Sequence, residues 1–392
     1  MNTKLATGLA VCLWAFALTS CQSPGPIIRD QEQFTKQVTV SPSINVIEIH
    51  HDNGSVNLQG WDSPFVLMEG YKSVSGPDLE TVTQALAEME MIAYERSGDR
   101  LVIEYSPPLK LRDVNPFDKF EETVHFTINV PKGIAIEVYN QDGAIKAANL
   151  DKTLLVDHKT GDVRVENIRG GANIISNGGN ITATDIQPYL DLDSREGRVD
   201  IERITGDAAI RHKNGPVVLS DVSNDVYLNC ENADCTIRQI KGQLEVDNMG
   251  GDVVANYIFS GVAIKLRKGN LTLQPQVPVP QSYQCSVEAG DLTVRIPENS
   301  NILLDVTAES GGITSDFPLP ISSEKNTSKA AGSVNKGEFK VELFVRGGFA
   351  HIVKVAANET VPETPAPSQT IENAGSTPPA ERSPDLEAAD IN

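Results

Sequence analysis

The sequence predicts an all-β fold, a single-stranded β-solenoid with 18-residue coils, preceded by a region of strands and a capping helix. Three observations carry this reading. Glycines recur every 18 residues at Gly143, Gly161, Gly179, Gly197, Gly215, Gly251 and Gly269, with Ala233 filling the one gap. Around each anchor the same offsets are apolar: seven and five residues before it, and two, four and seven after it. Across the eight units only Gln276 breaks this pattern. Finally, the apolar share of 40% is carried by Val, Ile, Leu and Ala with only 5% aromatics, the composition of a branched-aliphatic β core.

The offsets translate directly into geometry. A spacing of two on either side of the anchor describes short strands with alternate side chains pointing one way. Glycine between them marks a tight corner where a Cβ would cost strain. A second corner falls nine residues after the anchor, at Gly170, Pro188, Gly206, Asn224 and Gly242. Eighteen residues are too few for a βαβ unit. Each unit is therefore one coil, stacking about 4.8 Å from the next, and eight coils give a rod of roughly 40 Å. The hexapeptide left-handed helix also has 18-residue coils, but it needs an aliphatic residue every six positions, and this pattern does not repeat at six. Three residues before the anchors stand Asn140, His158, Ser176, Ser194, His212, Cys230 and Asn248, small or polar groups expected to bond backbone at a corner.

The remaining elements follow in chain order. Residues 1–20 read as an export signal, with Lys4 ahead of an apolar run over 5–18 that is too short to span a bilayer. Leu18-Thr19-Ser20-Cys21 resembles a bacterial lipobox, which implies lipidation of Cys21, and Gln22 after it implies outer-membrane retention in a Gram-negative host. An ordinary secretory signal with an incidental cysteine is the alternative. Several acyl chains would hold the protein by the N-terminus, each buried CH₂ contributing about 0.8 kcal/mol. Residues 21–35 are expected to be the lipidated N-terminus and a flexible spacer. Residues 36–133 hold strands over 46–58 and 65–71 and a helix after Pro77-Asp78 with Leu79, Val82, Leu86, Met89 and Ala93 on one face. The solenoid and its C-terminal cap occupy 134–356. Residues 357–392 contain six prolines and seven acids against one arginine, the composition of a disordered acidic tail.

Three stretches carry a family resemblance. Residues 53–62 (Asn-Gly-Ser-Val-Asn-Leu-Gln-Gly-Trp-Asp), Val130-Pro131-Lys132-Gly133, and Gly312-Ile313-Thr314-Ser315-Asp316-Phe317-Pro318 together resemble the bacterial "putative adhesin" β-strand-repeat family, domain of unknown function 4097, also described as toastrack-like. The resemblance covers about residues 38–350. It implies an exported, non-enzymatic β-solenoid with an adhesion or envelope-stress role, and brings no catalytic residues. The family's final corner of a small residue plus Gly-Asp is replaced here by Arg346-Gly347-Gly348-Phe349-Ala350.

The chemistry-bearing residues are sparse. With 33 basic and 53 acidic side chains the net charge is −20, which repels phosphate backbones and argues against nucleic acid as a partner. His50-His51-Asp52 is the one dense polar cluster, but adjacent strand residues face opposite ways, so a solvated strand end is expected there, with no metal. Asp162, Asp234, Asp252 and Asp291 follow glycine or alanine corners without the calcium nonapeptide, and are expected to cap their own turns. Outward strand positions alternate in sign and type, without the clustered carboxylates and aromatics of a polysaccharide-cleaving β-helix. No catalytic residue, cofactor or metal site is assigned. Cys230 and Cys235 flank the Ala233 corner and face inward. A small-loop disulfide and a pair of buried thiols both suit that position, and the expectation is a Cys230–Cys235 bond with Cys285 free. The functional expectation is a lipid-anchored cell-envelope protein, attached to the membrane through Cys21, that presents a rigid surface to a protein or glycan. A periplasmic scaffold or envelope-stress sensor is the alternative, and a carbohydrate-active enzyme a distant third.

Overall fold

Alternating aliphatic residues make the strands, and the corners decide how they stack. The computed structural model describes residues 27–106, 120–275 and 278–357. Its strands form two sheets of 15 and 16 strands whose buried faces meet in one continuous aliphatic core. The first strands are β1 (Ile28–Thr39), β2 (Val46–Asn53), β3 (Val56–Trp61) and β4 (Phe65–Gly76). Helix α1 (Leu79–Glu88) follows, then β5 (Glu90–Arg96), β6 (Arg100–Ser106) and β7 (Glu121–Pro131). The eight regular coils begin with β8 (Ala135–Asp142) and β9 (Ile145–Leu150) and continue in two-strand steps to β22 (Val262–Leu266) and β23 (Leu271–Pro275). Even-numbered strands pair in one sheet and odd-numbered strands in the other, each in parallel with its equivalent 18 residues away.

Each anchor sits where the chain passes from one sheet to the other. Gly143, Gly161, Gly179, Gly197, Gly215, Gly251 and Gly269 have φ between 105° and 129°. A Cβ built on any of them would fall 1.9–2.4 Å from the carbonyl oxygen of the anchor one coil earlier. Glycine is thus required twice, by conformation and by close approach. Ala233 turns its corner without a positive φ.

A second conformational column is cut into the odd-numbered strands. Asn149, Asn167, Asp185, Arg203, Asp221, Gln239 and Tyr257, again 18 apart, have φ of 53–61°. A left-handed residue rotates the strand, so inward positions resume three residues after the last one instead of two. This accounts for the odd interval between the offsets of four and seven.

The coils do not follow one another simply at the ends. In the odd sheet the order begins β1-β4-β7-β3-β9, and in the even sheet β5-β6-β2-β8. The coil made by β2 and β3 is therefore flanked on one side by β6 and β7 and on the other by β8 and β9. The far end mirrors this. There β24 (Tyr283–Val287) and β25 (Leu292–Pro297) are followed in space by the last strands in the chain, β30 (Phe339–Val345) and β31 (Ala350–Val355). Earlier segments, β26 (Ile302–Glu309) and β27 (Ile313–Ser315), lie outside them, and the hairpin of β28 (Ile321–Glu324) and β29 (Thr327–Val334) pairs antiparallel on β26. The corner ladder records the same order: a Cβ on Gly348 would meet the Gly290 carbonyl, and one on Gly311 the Gly348 carbonyl. Gly348 therefore serves as the corner in the stretch that departs from the family pattern.

Several expectations are corrected. No boundary falls at residue 133, because β2, β3, β6 and β7 are already coils. The flexible spacer expected up to residue 35 is strand from Ile28 onward. Helix α1 stops at Glu88, so Ala93 lies in β5 and not on the helical face, and Leu79 is exposed. Asp78 caps the helix, accepting from the Thr81 N–H at 2.8 Å. Lys72 from β4 donates to the terminal carbonyls of Leu86 and Met89 at 2.8 and 3.0 Å. The helix buries Val82, Ala85 and Leu86 against β1 and β4. Residues 1–26 and 358–392, which include the signal and Cys21 and nearly all of the expected tail, lie outside the described residues.

The close corner makes a direct test. Gly197→Ala should cost roughly 2–4 kcal/mol in chemical unfolding, from left-handed strain plus a carbonyl clash. Gly178→Ala, whose new Cβ would meet nothing nearer than 3.6 Å, should cost under about 1 kcal/mol. Equal destabilisation would contradict the corner geometry.

Candidate functional site

Polar groups gather in five places: one column inside the solenoid, one ladder along its corner, and three regions of outward surface. The interior column is the row three residues before each anchor, and it starts one coil earlier than the sequence suggests. His51 pairs with Asn140, Asn140 with His158, and the row continues through Ser176, Ser194, His212, Cys230 and Asn248, all buried. His51 is 3% exposed, so the solvated strand end expected there is corrected. Its Nε2 donates to the Val124 carbonyl at 3.0 Å, and its Nδ1 lies 3.0 Å from the Asn140 side chain. His212 Nδ1 lies 2.6 Å from Ser194 Oγ, and His158 Nδ1 donates to the Asn140 carbonyl at 3.3 Å. These small polar groups fit because the glycine corner beside them offers backbone carbonyls and little space. Burial holds His51 and His212 below the ordinary imidazole value of 6.5, against the opposing pull of their hydrogen bonds.

Cys230 and Cys235 face inward as expected but are not bonded. Their sulfurs are 3.7 Å apart, against about 2.05 Å in a disulfide. The expectation of a bond is corrected to two thiols in contact, with Cys235 Sγ directed to Cys230 and to the Ala233 carbonyl at 3.5 Å. The hydrogen bond to Cys230, then burial, raises the Cys235 thiol far above its usual range. Cys285 is buried apart from both and pushed up to about 12 by burial.

The corner aspartates tie coils together instead of capping their own turns. Asp162 accepts from the Asn180 N–H (2.8 Å), and Asn180 from the Arg198 N–H (3.0 Å). Asp234, Asp252, Asn270 and Asp291 accept in the same way from the next coil, at 2.8–3.0 Å. The ladder lapses where Arg198 and Pro216 follow the anchors, and on either side of them one Asx oxygen per coil reinforces the stack.

On the outward even sheet, near its N-terminal end, β2, β5, β6 and β8 assemble the densest charge cluster. Glu48 is 2% exposed yet carries a charge. Arg96 Nη2 meets its carboxylate at 2.5 Å, Arg100 bonds it as well, and His50 Nε2 is 3.3 Å away. Burial pushes the Glu48 carboxyl up, but the bonds to Arg100 and His50 and the two guanidinium charges outweigh it and hold it below the usual range. Arg100 also bonds Glu137 at 3.0 and 3.3 Å, which with Glu48 raises its guanidinium further. Tyr139 donates to Glu137 at 3.0 Å and stacks on His50, with centroids 4.8 Å apart and planes 10° apart. Every carboxylate oxygen of Glu48 is engaged, so the cluster's chemistry is that of a lock between four strands.

Among the described residues, two large concave regions are open to solvent. A trough of 550 Å³ on the even sheet is lined by Glu245, Asp247, Lys265, Asp305, Glu342 and Phe344. A groove of 640 Å³ follows the left-handed column, where Asn167 donates to Asn149 at 2.6 Å and Arg203 forks onto Asp185 at 2.7 and 2.9 Å. Among the described residues no group of three His, Cys, Asp or Glu could hold a metal, and no helix is long and apolar enough to cross a membrane.

Comparison with known proteins places residues 93–348 under the profile of the Toastrack DUF4097 family. Among curated proteins, none matches the chain. Solved structures similar to it include a "putative cell adhesion protein" from Clostridium sporogenes, 11% identical, covering 83% of this chain and 100% of that one with a TM-score of 0.20. A "putative adhesin" from Bacteroides fragilis is 12% identical over 83% of this chain and 97% of its own, with a TM-score of 0.18. A "putative lipid binding protein" from Parabacteroides distasonis is 12% identical over 81% and 96%, with a TM-score of 0.21. These likenesses are too distant to carry a role across.

The buried histidines predict a pH response. An imidazole held below 6.5 in the fold binds its proton more readily in the unfolded chain. Its contribution to stability is therefore complete above about pH 6.5 and is lost as pH falls through that value. Between pH 7.5 and 5.5 the unfolding free energy should drop, and His212→Ser, matching Ser176 and Ser194 in the same column, should shallow that drop. Parallel pH profiles for the two proteins would contradict the assignment.

Proposed function

The chain belongs to the Toastrack DUF4097 family, and on that premise we propose that it is a lipid-tethered cell-envelope protein that works by surface contact, as an adhesin-type module for a protein or glycan. The carrying observation is the register of its two outward faces. Parallel pairing at constant register sets Lys146, Arg164, Thr182, Asp200, Val218 and Thr236 in one row, one residue per coil. Beneath them the core is filled by fully buried aliphatics, each contributing about 1.5–3 kcal/mol. Such a body holds side chains at fixed spacing over a long face, which suits recognition of an extended partner.

The closest convergence of charged groups, around Glu48, is spent on mutual pairing, which supports a binding role over bond-making chemistry. The lipobox-like segment supports tethering through Cys21 to a membrane, the outer membrane in a Gram-negative host.

Protease and antibody accessibility of the solenoid on intact cells, with lysed cells as control, tests the reading. Exposure on intact cells is the expected result. Protection until lysis would move the rod to the periplasm and favour a scaffold or sensor inside the envelope. Cys21→Ser should release the protein from the membrane fraction, and retention there would contradict lipid tethering.

A further inference from the structure

We propose that β1 is a force-released extension of the N-terminal tether and that the β2–β3 coil is its mechanical stop. The inference rests on the tethered-surface reading above. Its parts are topology, register and burial.

Tension on the tether enters the fold at Ile28. Among the described residues, strand β1 is the outermost strand of its sheet and pairs with β4 alone, antiparallel from Ile28↔Gly76 to Thr39↔Phe65. Strands lie across the stacking axis, so a pull along that axis loads the Ile28 end of the ladder first and opens it one pair at a time. Beyond the ladder, one side of helix α1 rests on the strand, and deeper contacts are few. None of its twelve residues is fully buried, and only Phe34 and Val38 pack partly on the core. Its side-chain ties are Glu32–Lys72 at 3.2 Å and Lys36, which reaches the Met91 carbonyl at 2.5 Å and Glu90 at 3.7 Å. Partly exposed pairs of this kind resist weakly and are screened by salt.

The next residues along the chain are held differently. Ile44 is buried, and Asn45 donates to the Asp99 carbonyl at 2.8 Å. Strand β2 is bonded on both edges, to β6 and β8, and β3 on both edges, to β7 and β9. Ile47, Ile49 and Leu58 are 0% exposed. Drawing this coil out requires breaking four ladders and exposing its core side chains together. Releasing β1 lengthens the tether by about 40 Å, twelve residues at roughly 3.4 Å each, without disturbing a coil. A tethered adhesin gains reach under load while its binding faces stay intact.

The test is to stretch the full chain in an optical trap through handles at its two ends. The expected first event adds about 40 Å of contour at lower force than every later event, and re-forms on relaxation. Gln33→Cys with Tyr71→Cys, at cross-strand partners, should when oxidised cut that event to the five residues ahead of the crosslink, about 17 Å, and restore its full length on reduction. A first rupture that releases β1 together with whole coils would overturn the proposal, as would a first event of undiminished length in the oxidised variant. The trap reads strand release on the isolated chain, so its result is independent of whether the solenoid is exposed on cells.

Discussion

One close approach organises this molecule: the bare Cα of an anchor glycine resting against the carbonyl of the glycine one coil before it. At every regular corner but that of Ala233, the backbones of successive coils are too near for a Cβ. That contact fixes where each coil turns and hence its 18-residue length. It also fixes which residues face inward on the strands either side. The Asx ladder sits on the next residue and reinforces the same contact from outside, and the buried polar column sits three residues before it and bonds from inside. Corner, ladder and column are three layers of one seam.

A seam of this kind leaves the ends exposed, and the chain closes both ends in the same manner. At each end the outermost coil is built by an internal segment, while the penultimate coil holds the segment nearer the terminus. Neither β2–β3 nor β30–β31 is an end coil, so fraying from a terminus cannot simply unwind the stack. The strands left at the edges are short, as in β27 and β28, or polar, as in β1, which limits edge-to-edge pairing with other chains.

The coils were legible because their physics is local and repeated. Glycine spacing and five aliphatic offsets are enough to infer strand, corner and facing. What escaped depended on non-local pairing. His51 belongs to the interior column, but its coil is separated in sequence from the next by the excursion through β4, α1 and β7, so no 18-residue interval links it to Asn140. The placing of β30–β31 inside β26–β27 leaves no periodic trace either. The left-handed column had a visible signal in the three-residue interval between the offsets of four and seven, strengthened by Asn149, Asn167, Asp185 and Asp221, residue types that tolerate that conformation. The aspartates after the corners were legible as turn residues, but not that their acceptors serve the following coil. Inward placement of Cys230 and Cys235 followed from the offsets, whereas the separation of their sulfurs depends on how the Ala233 corner opens. The Glu48 cluster draws on four strands from three parts of the chain, and only its His50 component stood out.

A rigid surface ruled at coil spacing fixes the distance between any two points on one outward row. Lys146 and Thr236 occupy equivalent positions five coils apart. Spin labels at these two sites, read by pulsed electron resonance, should give one narrow distribution centred at about 24 Å, five steps of roughly 4.8 Å. The distribution should be unchanged in mild denaturant below the unfolding transition. A broad or bimodal distribution, or a centre far from that value, would contradict the register and with it the claim that the solenoid acts as a fixed scaffold for contact.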